Sequence, residues 1–206
     1  MTRGGRAFAA LVAGSAWLGL AVQFGATLAA TGSAAAALWV LLRYFTVLVN
    51  LAVALACTRA AARDAPAPPA LSGGLVLNAL LVAIVYHLLL AGTLTQTAPE
   101  KVADAFLHGV TPSLVLLFWL MRVRRGALRY RDVLPWAAVP LIYFAYALAR
   151  GAADGIYPYP FIDVGCIGLA ATLVDAALIA AGFVAAGLGL VWFDRRLGGT
   201  AATRLR

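Results

Sequence analysis

The chain has 206 residues, 64% of them hydrophobic and only 12% charged, with a formal net charge of +8. A soluble domain carries roughly 25% charged residues, so this composition excludes an ordinary water-soluble fold and calls for lipid as the solvent. The basic excess would suit nucleic acid, but the positions of the charges follow membrane topology instead, so no nucleic-acid partner is expected.

The apolar stretches come in lengths of about 18 or more residues, as spanning helices require. Six are expected: Ala7–Ala30, Leu38–Thr58, Leu71–Ala91, Phe106–Met121, Val133–Arg150 and Gly165–Phe193. The first follows Arg3 and Arg6 and precedes a small-residue stretch, ATLAATGSAA. Its apolar run outlasts the usual 7–15 residues of a signal-peptide core, so it reads as a retained span. The Pro-Ala linker Asp64–Ala70 joins the second and third spans. The fourth is the shortest, and the sixth outruns a ~30 Å hydrocarbon core, so it should tilt or project. No strand-like alternation argues for a barrel. The expected fold is therefore an all-α integral membrane protein, a single six-helix transmembrane domain over residues 1–206.

Thirteen of the sixteen Lys and Arg residues fall at the N-terminus, the second loop, the fourth loop and the tail, leaving Arg43, Lys101 and Arg150 on the other side. That is the positive-inside pattern, and it puts both termini in the cytoplasm of a multi-pass cell-membrane protein. The loop RVRRGALRYR is expected to lie against anionic headgroups. Cys57 and Cys166 fall at opposite ends of the bundle, too far apart for a disulfide, and read as small packing residues.

Polar side chains within a span are costly and usually face protein or a wet cavity. Here they gather toward the outer half. Arg43, Thr46 and Asn50 share one face of span two by their spacing, Tyr86 and His87 lie near the outer end of span three, and His108 and Thr111 begin span four. Tyr143, Tyr146 and Arg150 line span five, and Thr172 and Asp175 enter span six. The pattern predicts a pocket opening toward the outer leaflet.

A threonine hydroxyl needs a base to become a nucleophile, and histidine is the usual base near neutral pH, so Thr46 and His108 are the expected pair. Pro112 clashes with the carbonyl of His108, which predicts opened backbone there, unless the helix starts only at Thr111. Each residue also has a plainer reading. Thr46 suits a hydrogen bond to its own helix, and either histidine suits an interhelical donor. Arg43 suits snorkelling to headgroups, and Asp175 suits pairing with Arg150 or a tyrosine hydroxyl. Spacing supports a site without naming its chemistry.

Three segments carry a resemblance: RYFTVLVNL (Arg43–Leu51), LHGVTPSLVL (Leu107–Leu116) and YPFID (Tyr159–Asp163). In order and spacing the chain resembles the androgen-induced protein family, which includes the androgen-dependent TFPI-regulating protein and small bacterial six-helix members. The resemblance implies an intramembrane hydrolase of fatty acid esters of hydroxy fatty acids and, for the bacterial branch, a place in a bacterial inner membrane. It implies a nucleophile at Thr46, in a basic-aromatic-x-Thr setting, and a partner at His108, in a His-Gly setting. The chain departs from the animal members by Asn50, where they have an apolar residue, and by Pro112.

The function expected is thus lipid-ester hydrolysis by Thr46 and His108, with Arg43, Asn50, His87, Thr111, Tyr143, Tyr146 and Asp175 as supporting residues. Asn50 or a tyrosine is the expected oxyanion donor. No metal or cofactor is expected, since neither a HExxH motif nor a Cys/His cluster appears. The partners expected are a lipid ester and membrane lipids. The alternative is a non-enzymatic protein that binds or carries a lipid or small apolar ligand in the same pocket.

Overall fold

The computed structural model describes residues 2–63, 65, 67–93 and 95–203, with side chains described as far as residue 198. Arg204 and Arg206 of the basic tail, and Asp64 and Pro66 of the linker, lie outside them. The chain is 86% helical with no strand among the described residues. Six helical stretches are long and apolar enough to cross a membrane: Arg3–Thr31, Phe45–Arg63, Pro69–Leu90, Ala98–Arg122, Tyr130–Asp154 and Val164–Gly198. Large apolar side chains stay exposed along them, among them Leu88, Leu134, Ile142 and Leu178. On a soluble protein such surface would aggregate, whereas lipid solvates it.

The chain divides into two compact units, Met1–Ala127 and Leu128–Arg206. The first begins with α1 (Arg3–Thr31), whose first turn is capped by the Thr2 hydroxyl accepting from the Gly5 N–H at 3.2 Å. It stops at Gly32, where φ is 69° and a side chain would be strained. A short α2 (Ala34–Leu41) follows, then α3 (Phe45–Arg63), α4 (Pro69–Val85), α5 (Ala98–Ala105) and α6 (Thr111–Arg122). The expected second span, Leu38–Thr58, is corrected here. Turn residues 42–44 separate α2 from α3, so Arg43 sits in that turn and not on one helical face with Thr46 and Asn50.

The expected fourth span, Phe106–Met121, began too late. Helix α5 starts eight residues earlier, at a capping box in which the Thr97 N–H and hydroxyl both donate to the Glu100 carboxylate, at 2.8 and 2.7 Å. It runs into α6 through a π-turn, Phe106–Val110, and α4 ends in another, Tyr86–Leu90. Such turns carry one extra residue and are frequent at functional sites.

Packing in the first unit is centred on α1, which lies against α3, α5, α6 and the π-turn at Phe106–Val110, while α4 packs on α6 and α3. Gly19 lets that π-turn approach α1. A Cβ there would come within 2.8 Å of the Leu107 side chain and 3.0 Å of Phe106 Cβ. Beside it, the Ser15 hydroxyl donates to the Val12 carbonyl at 2.9 Å, which leaves Thr111 as the donor in their 3.1 Å contact.

The second unit pairs α7 (Val133–Asp154) with α8 (Val164–Thr203). The 40 residues of α8 amount to ~60 Å of helix, about twice the hydrocarbon core, and Gly168 interrupts it at φ 80°. At its far end the fully buried Asp194 accepts the Leu128 N–H at 3.0 Å, which ties the start of this unit to its last helix.

Candidate functional site

Thr46 is the second residue of α3 and is buried. His108 stands in the middle of the π-turn Phe106–Val110, with its side chain 13% exposed. Their side chains meet, Thr46 Oγ1 to His108 Nε2 at 3.1 Å, across 62 positions of sequence. A hydroxyl beside an imidazole nitrogen at that distance is within the reach needed to pass a proton.

The other ring nitrogen faces a carboxylate. His108 Nδ1 lies 2.8 Å from Asp104 Oδ1, within ion-pair range although not aimed along a straight hydrogen bond. The Tyr86 hydroxyl donates to Asp104 Oδ2, and the Tyr86 ring stacks on the His108 imidazole with centroids 4.0 Å apart and planes inclined by 17°. Four side chains from three elements and their π-turns thus converge: Thr46, His108, Asp104 and Tyr86.

Asp104 was not among the expected polar residues, whereas Tyr86 was expected beside His87 at the outer end of span three but without a role. Asp104 was overlooked because it lies in the charged stretch that hydropathy left outside the fourth span. Two signals marked it, the Thr97–Ala–Pro–Glu100 capping sequence and its four-residue spacing to His108.

The backbone at His108 is opened as Pro112 requires. Pro112 has no N–H for the His108 carbonyl, and the π-turn passes the Thr111 N–H to the Phe106 carbonyl, one residue beyond the α-helical partner. That shift frees the Leu107 carbonyl, which accepts from Asn50 Nδ2 at 3.1 Å. The same amide nitrogen donates to the Thr46 carbonyl at 2.9 Å. Both amide hydrogens of Asn50 are therefore engaged by backbone, and it binds α3 to the π-turn rather than standing ready for an oxyanion.

The remaining expected residues are placed as follows. Thr111 is fully buried and bonded to Ser15, so it fastens α6 to α1. His87 is exposed, with Nδ1 on the Ala83 carbonyl at 2.8 Å, and it meets Tyr86 edge to face and not Thr46. Arg43 is buried in the turn before α3.

Tyr143, Tyr146 and Asp175 belong to the second unit. There the buried Arg150 donates to the Tyr146 hydroxyl at 2.7 Å, Tyr143 adjoins Tyr146 and Tyr159, and Asp175 is half-buried on α8. Among the described residues no group of three or more His, Cys, Asp or Glu side chains is gathered to hold a metal ion.

No family model, curated protein or solved structure matches the chain.

Proposed function

We propose that the protein is a multi-pass membrane hydrolase of lipid esters in which Thr46 is the nucleophile and His108 the general base. The 3.1 Å contact between Thr46 Oγ1 and His108 Nε2 carries the reading. In the proposed reaction Oγ1 attacks the ester carbonyl carbon as Nε2 takes its proton. The tetrahedral intermediate collapses, breaking the carbon–oxygen bond to the alcohol, which leaves with the proton from Nε2. Water, deprotonated by the same nitrogen, then attacks the acyl-threonine, releasing the acid and restoring both residues.

A lipid ester suits the surroundings because the pair lies on helices that expose apolar surface to the bilayer. The charge pattern supports a cytoplasmic position for both termini and an outer-leaflet position for the pair. Within the first unit, Thr46 begins α3 and Arg63 ends it, about 26 Å apart at the α-helical rise. On the fourth apolar stretch His108 likewise lies toward the end opposite Arg122. Arg63 and Arg122 thus mark the helix ends away from the site, while Arg43 and Lys101 are the basic residues on its side.

An activity-based fluorophosphonate applied to the protein in detergent micelles tests the reaction. Wild type should be labelled on the peptide containing Thr46, and Thr46→Ala should lose both labelling and ester turnover while remaining folded. Turnover by Thr46→Ala at the wild-type rate would overturn the mechanism. A wild-type protein that takes no label but co-purifies with intact lipid would make it a carrier.

A further inference from the structure

The reaction written above uses two side chains, yet two more bear on His108. We propose that Asp104, held by Tyr86, is a positioning residue that fixes His108 as the Nδ1–H tautomer, so that Nε2 presents its lone pair to Thr46. The catalytic consequence rests on the hydrolase reading, whereas the tautomer rests on the geometry around the ring.

A neutral imidazole carries its proton on either nitrogen, and only one of the two forms can accept a proton from Thr46. An ionised carboxylate is an acceptor only. With Oδ1 at 2.8 Å from Nδ1, it favours the form that places hydrogen on that nitrogen.

The second carboxylate oxygen receives the Tyr86 hydroxyl, so Asp104 is restrained from both sides. The stacked ring adds a steric restraint on one face, because His108 cannot tilt toward Tyr86 without striking it. When Nε2 takes the proton from Thr46, the imidazolium faces the Asp104 carboxylate, which stabilises the charge without itself being protonated. The same division of labour holds in Ser-His-Asp hydrolases.

An i, i+4 ion pair that merely supports the helix would contribute a few tenths of a kcal/mol and leave the tautomer alone. The test therefore reads the tautomer directly. The chain has two histidines, so ¹⁵N-imidazole spectra of the full-length protein in nanodiscs are assigned by comparison with His87→Gln. At a pH where the ring is neutral, wild-type His108 should be protonated at Nδ1.

Asp104→Asn, whose amide can donate to Nδ1, should invert this to Nε2–H. Fluorophosphonate labelling should fall by about 10⁴-fold, the loss seen when the triad aspartate of a serine protease becomes asparagine. Tyr86→Phe keeps the stacking ring and should keep the tautomer. Should Asp104→Asn fail to fold, Asp104→Ser replaces it, and its loss of the charged acceptor should abolish the Nδ1–H preference.

A preference for Nδ1–H that survives in these Asp104 variants, or an Nε2–H tautomer in wild type, overturns the assignment even if Thr46 is labelled. Inversion of the tautomer in a protein that takes no label upholds the positioning role and removes the hydrolase reading instead.

Discussion

His108 and His87 differ in surroundings more than their sequence settings suggest. Both lie in π-turns, yet His108 has its two ring nitrogens beside Thr46 and Asp104, whereas His87 is exposed and bonded to its own helix. His108→Ala should therefore lower ester turnover by the ~10²–10⁴-fold typical of lost general acid–base catalysis. His87→Ala should stay close to wild type, although a displaced Tyr86 would show as a small loss. Initial rates on a chromogenic fatty acyl ester, with each variant checked for folding by size exclusion, measure both. A silent His108→Ala would remove that residue from the mechanism. Thr46 and His108 stood out in the sequence as a hydroxyl and an imidazole in the same half of the apolar spans, while spacing alone left Thr46 a bond to its own helix and His108 another interhelical partner. Asp104 was not legible from hydropathy, since a carboxylate near a span end looks like solvent-facing loop. Its meaning appears only when the helix is carried back to Thr97, which puts Asp104 one turn before His108.

Asn50 and Pro112 are physically coupled, although 62 positions separate them. Proline withholds a donor from the His108 carbonyl, the chain answers with a π-turn, and the turn releases the Leu107 carbonyl that Asn50 then satisfies. Asn50→Leu alone should leave that buried carbonyl without a partner and destabilise the protein by about 1–3 kcal/mol. With Pro112→Ala also in place, position 112 regains an N–H, the turn can relax to α-helix, and Leu107 recovers Thr111 as donor. The Asn50→Leu penalty should then shrink by at least ~0.5 kcal/mol, the lower end of couplings between interacting residues. Unfolding by dodecyl sulfate titration in mixed micelles gives the four stabilities of the cycle. Equal penalties in both backgrounds would show that the two residues act independently. Proline chemistry made the opened backbone predictable from sequence. The identity of the residue that repairs it was not, because contact across 57 positions has no local signature.

The hydrophobic lengths located all six apolar helices, since lipid imposes a minimum run of apolar residues on any span. They missed the break at residues 42–44, because a turn made of Leu, Arg and Tyr interrupts no hydropathy window. Orientation follows from charge and is testable apart from any chemistry. After Cys57 and Cys166 are changed to Ala, single cysteines at Ala34 and Thr95, both exposed, should react with an impermeant thiol reagent added to intact cells. Cysteines at Ala65 and Arg124, also exposed, should react only once the membrane is opened. Gly126 is avoided because its φ of 73° would strain a cysteine. The reverse pattern would invert the protein, and a mixed one would contradict six crossings. Thr46, Tyr86, Asp104 and His108, with Asn50 behind them, all belong to the first of the two units. The sequence is thus under unequal constraint along its length. The proposed chemistry places its positional demands on residues up to about His108, while the second unit answers to its own buried contacts, Arg150 with Tyr146 and Asp194 with Leu128. Among variants of this chain, substitutions at the exposed apolar positions of the second unit, such as Leu134, Ile142 and Leu178, should be tolerated best, because lipid asks of them only that they stay apolar.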